Sequence, residues 1–107
     1  MTVGVQVEQA KALAAAGRLD EALALLSPLA AREDTPWQAL SVQADLLKRA
    51  GRLENSIETS RRLVAVRPQS VPARHNLAST LGDLGRAVEA ERVCREAMAI
   101  GGDAPET

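Results

Sequence analysis

The chain has 107 residues, 46% hydrophobic and 25% charged, with a net charge of −1. That length suits one domain with its own core, and the interspersed, near-neutral charge excludes the basic footprint that a phosphate backbone demands. The apolar residues are mostly Ala and Leu, with one Trp and no Phe or Tyr, a set that favours helices.

Read in chain order, the elements recur. In a first unit, about 3–36, Ala10 and Leu13 mark one helix and Leu19, Ala22, Leu26 and Leu29 a second, with Gly17 between them. In a second unit, about 37–70, Trp37, Leu40, Ala44 and Leu47 step by three and four along a first helix. After Gly51, the residues Leu53, Ile57, Leu63, Val64 and Val66 give a second apolar face, and Pro68 lies just past it. In a third unit, about 71–104, Leu77, Ala78 and Leu81 precede Gly85, and Ala87, Ala90, Val93, Cys94, Ala97 and Met98 follow it. Residues 105–107 read as a tail or the start of a further repeat, and Gly101-Gly102 as the end of the last helix. The three units together are expected to form one domain over 1–104.

The glycines stand 34 residues apart, and each precedes an Arg and an apolar residue: Arg18-Leu19, Arg52-Leu53, Arg86-Ala87. Such a period means one supersecondary unit copied along the chain. Each glycine falls where a helix C-terminus needs a residue that tolerates positive φ. Asp20-Glu21, Glu54 and Glu89 fall in the first turns of the second helices, where negative charge suits the macrodipole. Pro36 and Pro72 stand near the starts of first helices, with Asp34-Thr35 and Ser70 as expected N-caps. Glu58 with Arg62 and Glu91 with Arg95 are spaced as i,i+4 pairs. Pro28 falls inside a second helix and is expected to bend it or loosen it there. Ser56 and Ser60, at nominally buried positions, are expected to bond back to a carbonyl one turn earlier.

Asn76-Leu77-Ala78, Leu81-Gly82, Gly85-Arg86, Glu89-Ala90 and Ala97 in unit three resemble the tetratricopeptide repeat. So do Pro68 in unit two and Ala10, Leu13, Gly17, Glu21-Ala22 and Leu29 in unit one. The aromatics usual in that family's core are replaced by Leu13, Leu47, Leu81, Leu26, Ser60 and Cys94, and Trp37 lies three residues before the family's tryptophan position. The resemblance implies an all-α fold, a right-handed superhelical solenoid of three antiparallel helix pairs, each contacting only its neighbours. It also implies a concave wall of first helices. The positions facing it would be Lys11, then Gln38, Ser41, Asp45 and Lys48, then His75, Asn76, Ser79 and Gly82, with the small residues Gly4, Val7 and Ala14 between. A carboxylate clamp, found in one subgroup, would need Val7, Lys11, Val42, Pro72 and Asn76; only Lys11 is positive, so that mode is not expected.

Chemistry is thin. His75 is the only histidine, and its candidate partners are Asn76, Ser79 and Asp45; a groove-lining role is the simpler reading than a general base. Cys94 excludes an internal disulfide and reads as a buried thiol. No spacing suggests a metal or a phosphate loop, so no catalytic residue, cofactor or metal is expected. Trp37 reads as a cover for the junction between units one and two, with a binding anchor as the competing role. The N-terminus lacks a signal peptide's basic start, and no apolar run approaches the ~20 residues that span a bilayer. A cytoplasmic setting without membrane or nucleic-acid partners is expected, and the excess of Arg over Lys resembles GC-rich bacterial usage.

The functional expectation is a non-catalytic scaffold whose groove takes a peptide or helix of another protein. Two alternatives stay open. One is an accessory region of a larger enzyme, such as a sulfotransferase or hydroxylase. The other is self-association through the last helix, on the face of Ala90, Cys94 and Ala97 that a following repeat would cover.

Overall fold

Each first helix stops at the glycine that follows it. The computed structural model describes residues 3–32 and 34–101; the expectations for Gly102 and for 103–107 lie outside these residues. The first helices are α1 (Val3–Ala15), α3 (Trp37–Arg49) and α5 (Val71–Asp83), and the second helices are α2 (Leu19–Ala30), α4 (Leu53–Val66) and α6 (Ala87–Gly101). Gly17, Gly51 and Gly85 have φ of 83°, 80° and 80°, a conformation that a Cβ disfavours. Beyond each glycine the Arg amide donates five residues back: Arg18 to Leu13 at 2.8 Å, Arg52 to Leu47 at 2.9 Å and Arg86 to Leu81 at 2.9 Å. Each glycine amide also donates three residues back, at 3.0 Å, to Ala14, Lys48 or Gly82. These paired bonds form a Schellman cap. The same arginines open the second helices, since their carbonyls accept from Ala22, Ser56 and Ala90.

The links between hairpins are less regular. Ser70 caps α5 by accepting from the Ala73 amide at 3.3 Å. For α3 the expected cap is corrected: Pro36 itself is the N-cap, and its carbonyl accepts from Ala39 and Leu40. Thr35 serves α2 instead. Its hydroxyl donates to the Leu29 carbonyl at 2.6 Å and to the Arg32 carbonyl, because the last carbonyls of a helix lack partners within it. Asp34 pairs with Arg32 at 2.9 Å. α2 continues past Pro28, with Ala31 donating to Ser27 at 3.1 Å, but ends two residues short of α4 in the 34-residue register.

Adjacent helices pack as α1 on α2, α3 on α4 and α5 on α6, with α2 on α3 and α4 on α5 joining the hairpins. The first helices also meet one another, α1 with α3 and α3 with α5, whereas among the described residues the backbones of the second helices do not. Closer spacing on one side curves the stack, so the first helices form its concave wall. The molecule is an all-α solenoid of 41 × 29 × 25 Å, and no described helix is long and apolar enough to cross a membrane.

The main core joins α1, α2 and α3 through Val7, Ala10, Ala22, Leu23, Leu26 and Leu46 among others. Smaller clusters hold Ile57, Leu77, Leu81 and Val93, and Leu40, Leu63 and Ala73. Each leucine fully buried contributes about 1.5–3 kcal/mol.

Three expectations about this core are corrected. Ser56 does not bond back within α4; its hydroxyl donates across the hairpin to the Ala44 carbonyl at 2.8 Å, because α3 and α4 approach closely at a small residue. Ser60 is fully buried and its hydroxyl has no hydrogen-bond partner. Cys94 is exposed, since no described element packs over that face of α6, whereas its neighbour Ala97 turns towards the hairpin interior and is buried.

Candidate functional site

The stripe Gln38, Ser41, Val42, Asp45 and Arg49 recurs by three and four along α3, so one face of the central helix looks onto the concave wall. Two depressions lie on this wall. One, of about 500 Å³, runs between α1 and the start of α3 and is lined by Val3, Val7, Lys11, Trp37, Gln38 and Val42 among others. The other, of about 590 Å³, is lined by Lys11, Ala14, Ser41, Asp45, Arg49 and Asn76 among others, so it reaches α5. Lys11, Ser41 and Val42 border both, so the two run together along the wall.

The expected groove residues separate into three groups. Lys11, Gln38, Ser41, Asp45 and Asn76 line these depressions. Lys48 and Ser79 are bonded to each other and tie α3 to α5, with Asp83 a further 3.9 Å partner of Lys48. His75 is exposed on α5 and borders neither depression. Asp45, named as a partner for it, pairs with Arg49 at 3.0 Å. Lys11 pairs with Glu8 at 3.3 Å. The wall's charges therefore already have local counterions.

Sequence reading missed the part that Val3, Pro36, Trp37 and Arg49 play in lining this wall. The three-and-four spacing from Gln38 to Arg49 could have found Arg49; the Val3 side of the wall depends on how α1 lies against α3, which no local pattern states. Trp37 is 38% exposed at the α1–α3 junction, and the Arg67 guanidinium lies 4.5 Å from its ring centroid, a cation–π contact. On the opposite side, where α2 and α4 diverge, a notch of about 450 Å³ is lined by Ser27, Gln43, Asn55 and Thr59 among others. Within it Arg52 donates to Asp20 at 3.4 Å. Among the described residues no group of His, Cys, Asp and Glu is placed to hold a metal ion.

The tetratricopeptide repeat family model matches residues 3–28 and 71–96. The two matches are offset by 68 residues, twice the glycine spacing, so the hairpin between them occupies the intervening register. No curated protein matches the chain. The shared register, the three glycine caps and the hairpin stack agree: the first and third hairpins match tetratricopeptide repeats and the six helices are consistent with a stack of them, repeats that are in general non-catalytic protein-interaction modules.

Proposed function

We propose that the three hairpins act as one non-catalytic module that takes a peptide or helix of a partner protein along the concave wall. The observation that carries this reading is the pair of joined depressions over α1, α3 and α5. Their floor is apolar at Val3, Val7 and Val42, and their border is polar at Lys11, Gln38, Ser41, Asp45 and Asn76. That pattern suits a ligand with an apolar side chain and several hydrogen-bonding groups. Because Lys11 and Asp45 hold their own counterions, recognition rests on shape and hydrogen bonding more than on net charge. The Lys48–Ser79 bond sets the spacing of α3 and α5 at the far end, and His75 flanks the wall on α5.

The test is selection of binders from a library of displayed random peptides. Ser41→Trp fills the shared border and is expected to abolish binding of the selected peptides, and Asp45→Ala to weaken it, with helicity unchanged. Val88→Glu, on the exposed start of α6, leaves binding as it was. Peptides that bind Ser41→Trp as well as the parent chain remove the concave wall as the site.

A further inference from the structure

The internal junctions of the stack provide a standard for judging its two ends. At each junction a second helix receives the first helix of the following hairpin, α2 receiving α3 and α4 receiving α5. The donor positions on the second helices, Leu26 and Ser60, are both 0% exposed. On the first helices Ala39 and Ala73 are 0% and 3% exposed, and Leu46 and Thr80 are 2% and 0%. Shifted by one repeat, these positions fall on Cys94 of α6 and on Val5 and Ala12 of α1. All three are exposed, Val5 by 48%. Met98, 68% exposed, extends the α6 face at the position that Val64 holds partly buried. The chain thus carries the two halves of its own junction at opposite ends, each uncovered among the described residues.

Charge agrees with the same shift. Arg61 of α4 pairs with Glu89 of α6 at 2.9 Å, across the junction of the second and third hairpins. One repeat further along, Arg61 becomes Arg95 and the place of Glu89 is taken by Glu21 of a following copy. Arg95 and Glu21 are 76% and 62% exposed, and among the described residues their ion-pair partners are local, Glu91 at 3.2 Å one turn away on α6 and Arg18 at 3.8 Å at the start of α2.

We propose that the outer face of α6 on one copy receives the outer face of α1 on a second copy, extending the stack head to tail. This is independent of what the concave wall binds. The contact is heterologous, so it propagates rather than closing at a dimer. Glu91 stands where Leu23 and Ile57 stand in the buried junctions, and Gln9 where Leu77 stands, so the association is weak and depends on concentration.

Sedimentation equilibrium tests this over a series reaching about 1 mM, where even a millimolar contact is half formed. The weight-average mass is expected to climb from 11.3 kDa past twice that value without a plateau. Met98→Glu and Ala12→Arg, both at exposed positions, should each hold the mass at that of the monomer while leaving the circular dichroism unchanged. Mixed in equal amounts, the two variants should form one heterodimer and nothing larger, because each keeps the face that the other lost. Labelling of the Cys94 thiol should be fast in dilute solution and slow in step with assembly. A monomer mass at every concentration overturns the proposal. So does loss of assembly with Met98→Glu but not with Ala12→Arg, which marks a tail-to-tail dimer. Slow labelling even in dilute solution also overturns it, since the face is then covered from within the chain.

Discussion

The junction of α2 with α3 and the junction of α4 with α5 use the same positions and different chemistry. At the first, Leu26 and Leu46 are 0% and 2% exposed within one apolar core. At the second, the equivalent positions hold Ser60 and Thr80, both 0% exposed. Thr80 satisfies its hydroxyl within α5, donating to the Asn76 carbonyl at 2.8 Å; Ser60 has no partner. The hairpins on either side of each junction share one turn, because the backbone caps at Gly17, Gly51 and Gly85 set it. Side chains set the adhesion. In a stack whose stability sums repeat and interface contributions, α5 and α6 are therefore held less firmly than α1 and α2, and are expected to open first in local unfolding.

The strongest way to break this contrast is Leu26→Ala, which empties the better-packed junction. A loss of about 2–5 kcal/mol in denaturant unfolding is expected; a loss near zero would mean that the apolar core does not hold the hairpins together. Ser60→Ala works in the opposite direction. Removing a buried hydroxyl without a partner should raise stability by about 1 kcal/mol, and a decrease of that size would show that the hydroxyl has a bonding role. Ser56→Ala is its matched control, since the Ser56 hydroxyl does bond, to Ala44. Here a loss of about 0.5–1.5 kcal/mol is expected. Arg61→Ala breaks an exposed pair across the second junction and should cost no more than about 1 kcal/mol, less at high salt.

The smallest effect concerns pH at the link between the first two hairpins. The hydrogen bond from Arg32, and then its charge, hold the Asp34 carboxyl below its ordinary value of 3.8. The contribution of the Arg32–Asp34 pair is thus fully present above that value and is lost as pH falls through the lowered folded value. An NMR titration of Asp34 should show a midpoint below 3.8, and Arg32→Ala should return it to the ordinary range.

The hairpins were legible because their signals are local. A glycine that must adopt positive φ, an acid in the next turn and apolar residues spaced by three and four lie within a few positions of one another. Partners chosen by tertiary packing were not legible. Thr35 looked like a cap for α3, yet its hydroxyl donates to the Leu29 carbonyl at the end of α2. Ser56 found its acceptor on another helix. Cys94 shares a register position with the buried Leu26 and Ser60, which suggested a buried thiol, but its place on the last helix leaves that face without a following hairpin among the described residues. On the concave wall, the family resemblance implied Ser41 and Asp45, whereas the separation of His75 from them depends on how α5 turns relative to α3.

Where a ligand perturbs the chain tests the concave wall most directly. A backbone amide NMR titration with a peptide selected for binding should shift resonances along α1, α3 and the facing turns of α5, with Ser41, Val42 and Asp45 among the largest. Shifts concentrated on α2 and α4, around Ser27, Asn55 and Thr59, would contradict it and place the interaction on the convex side.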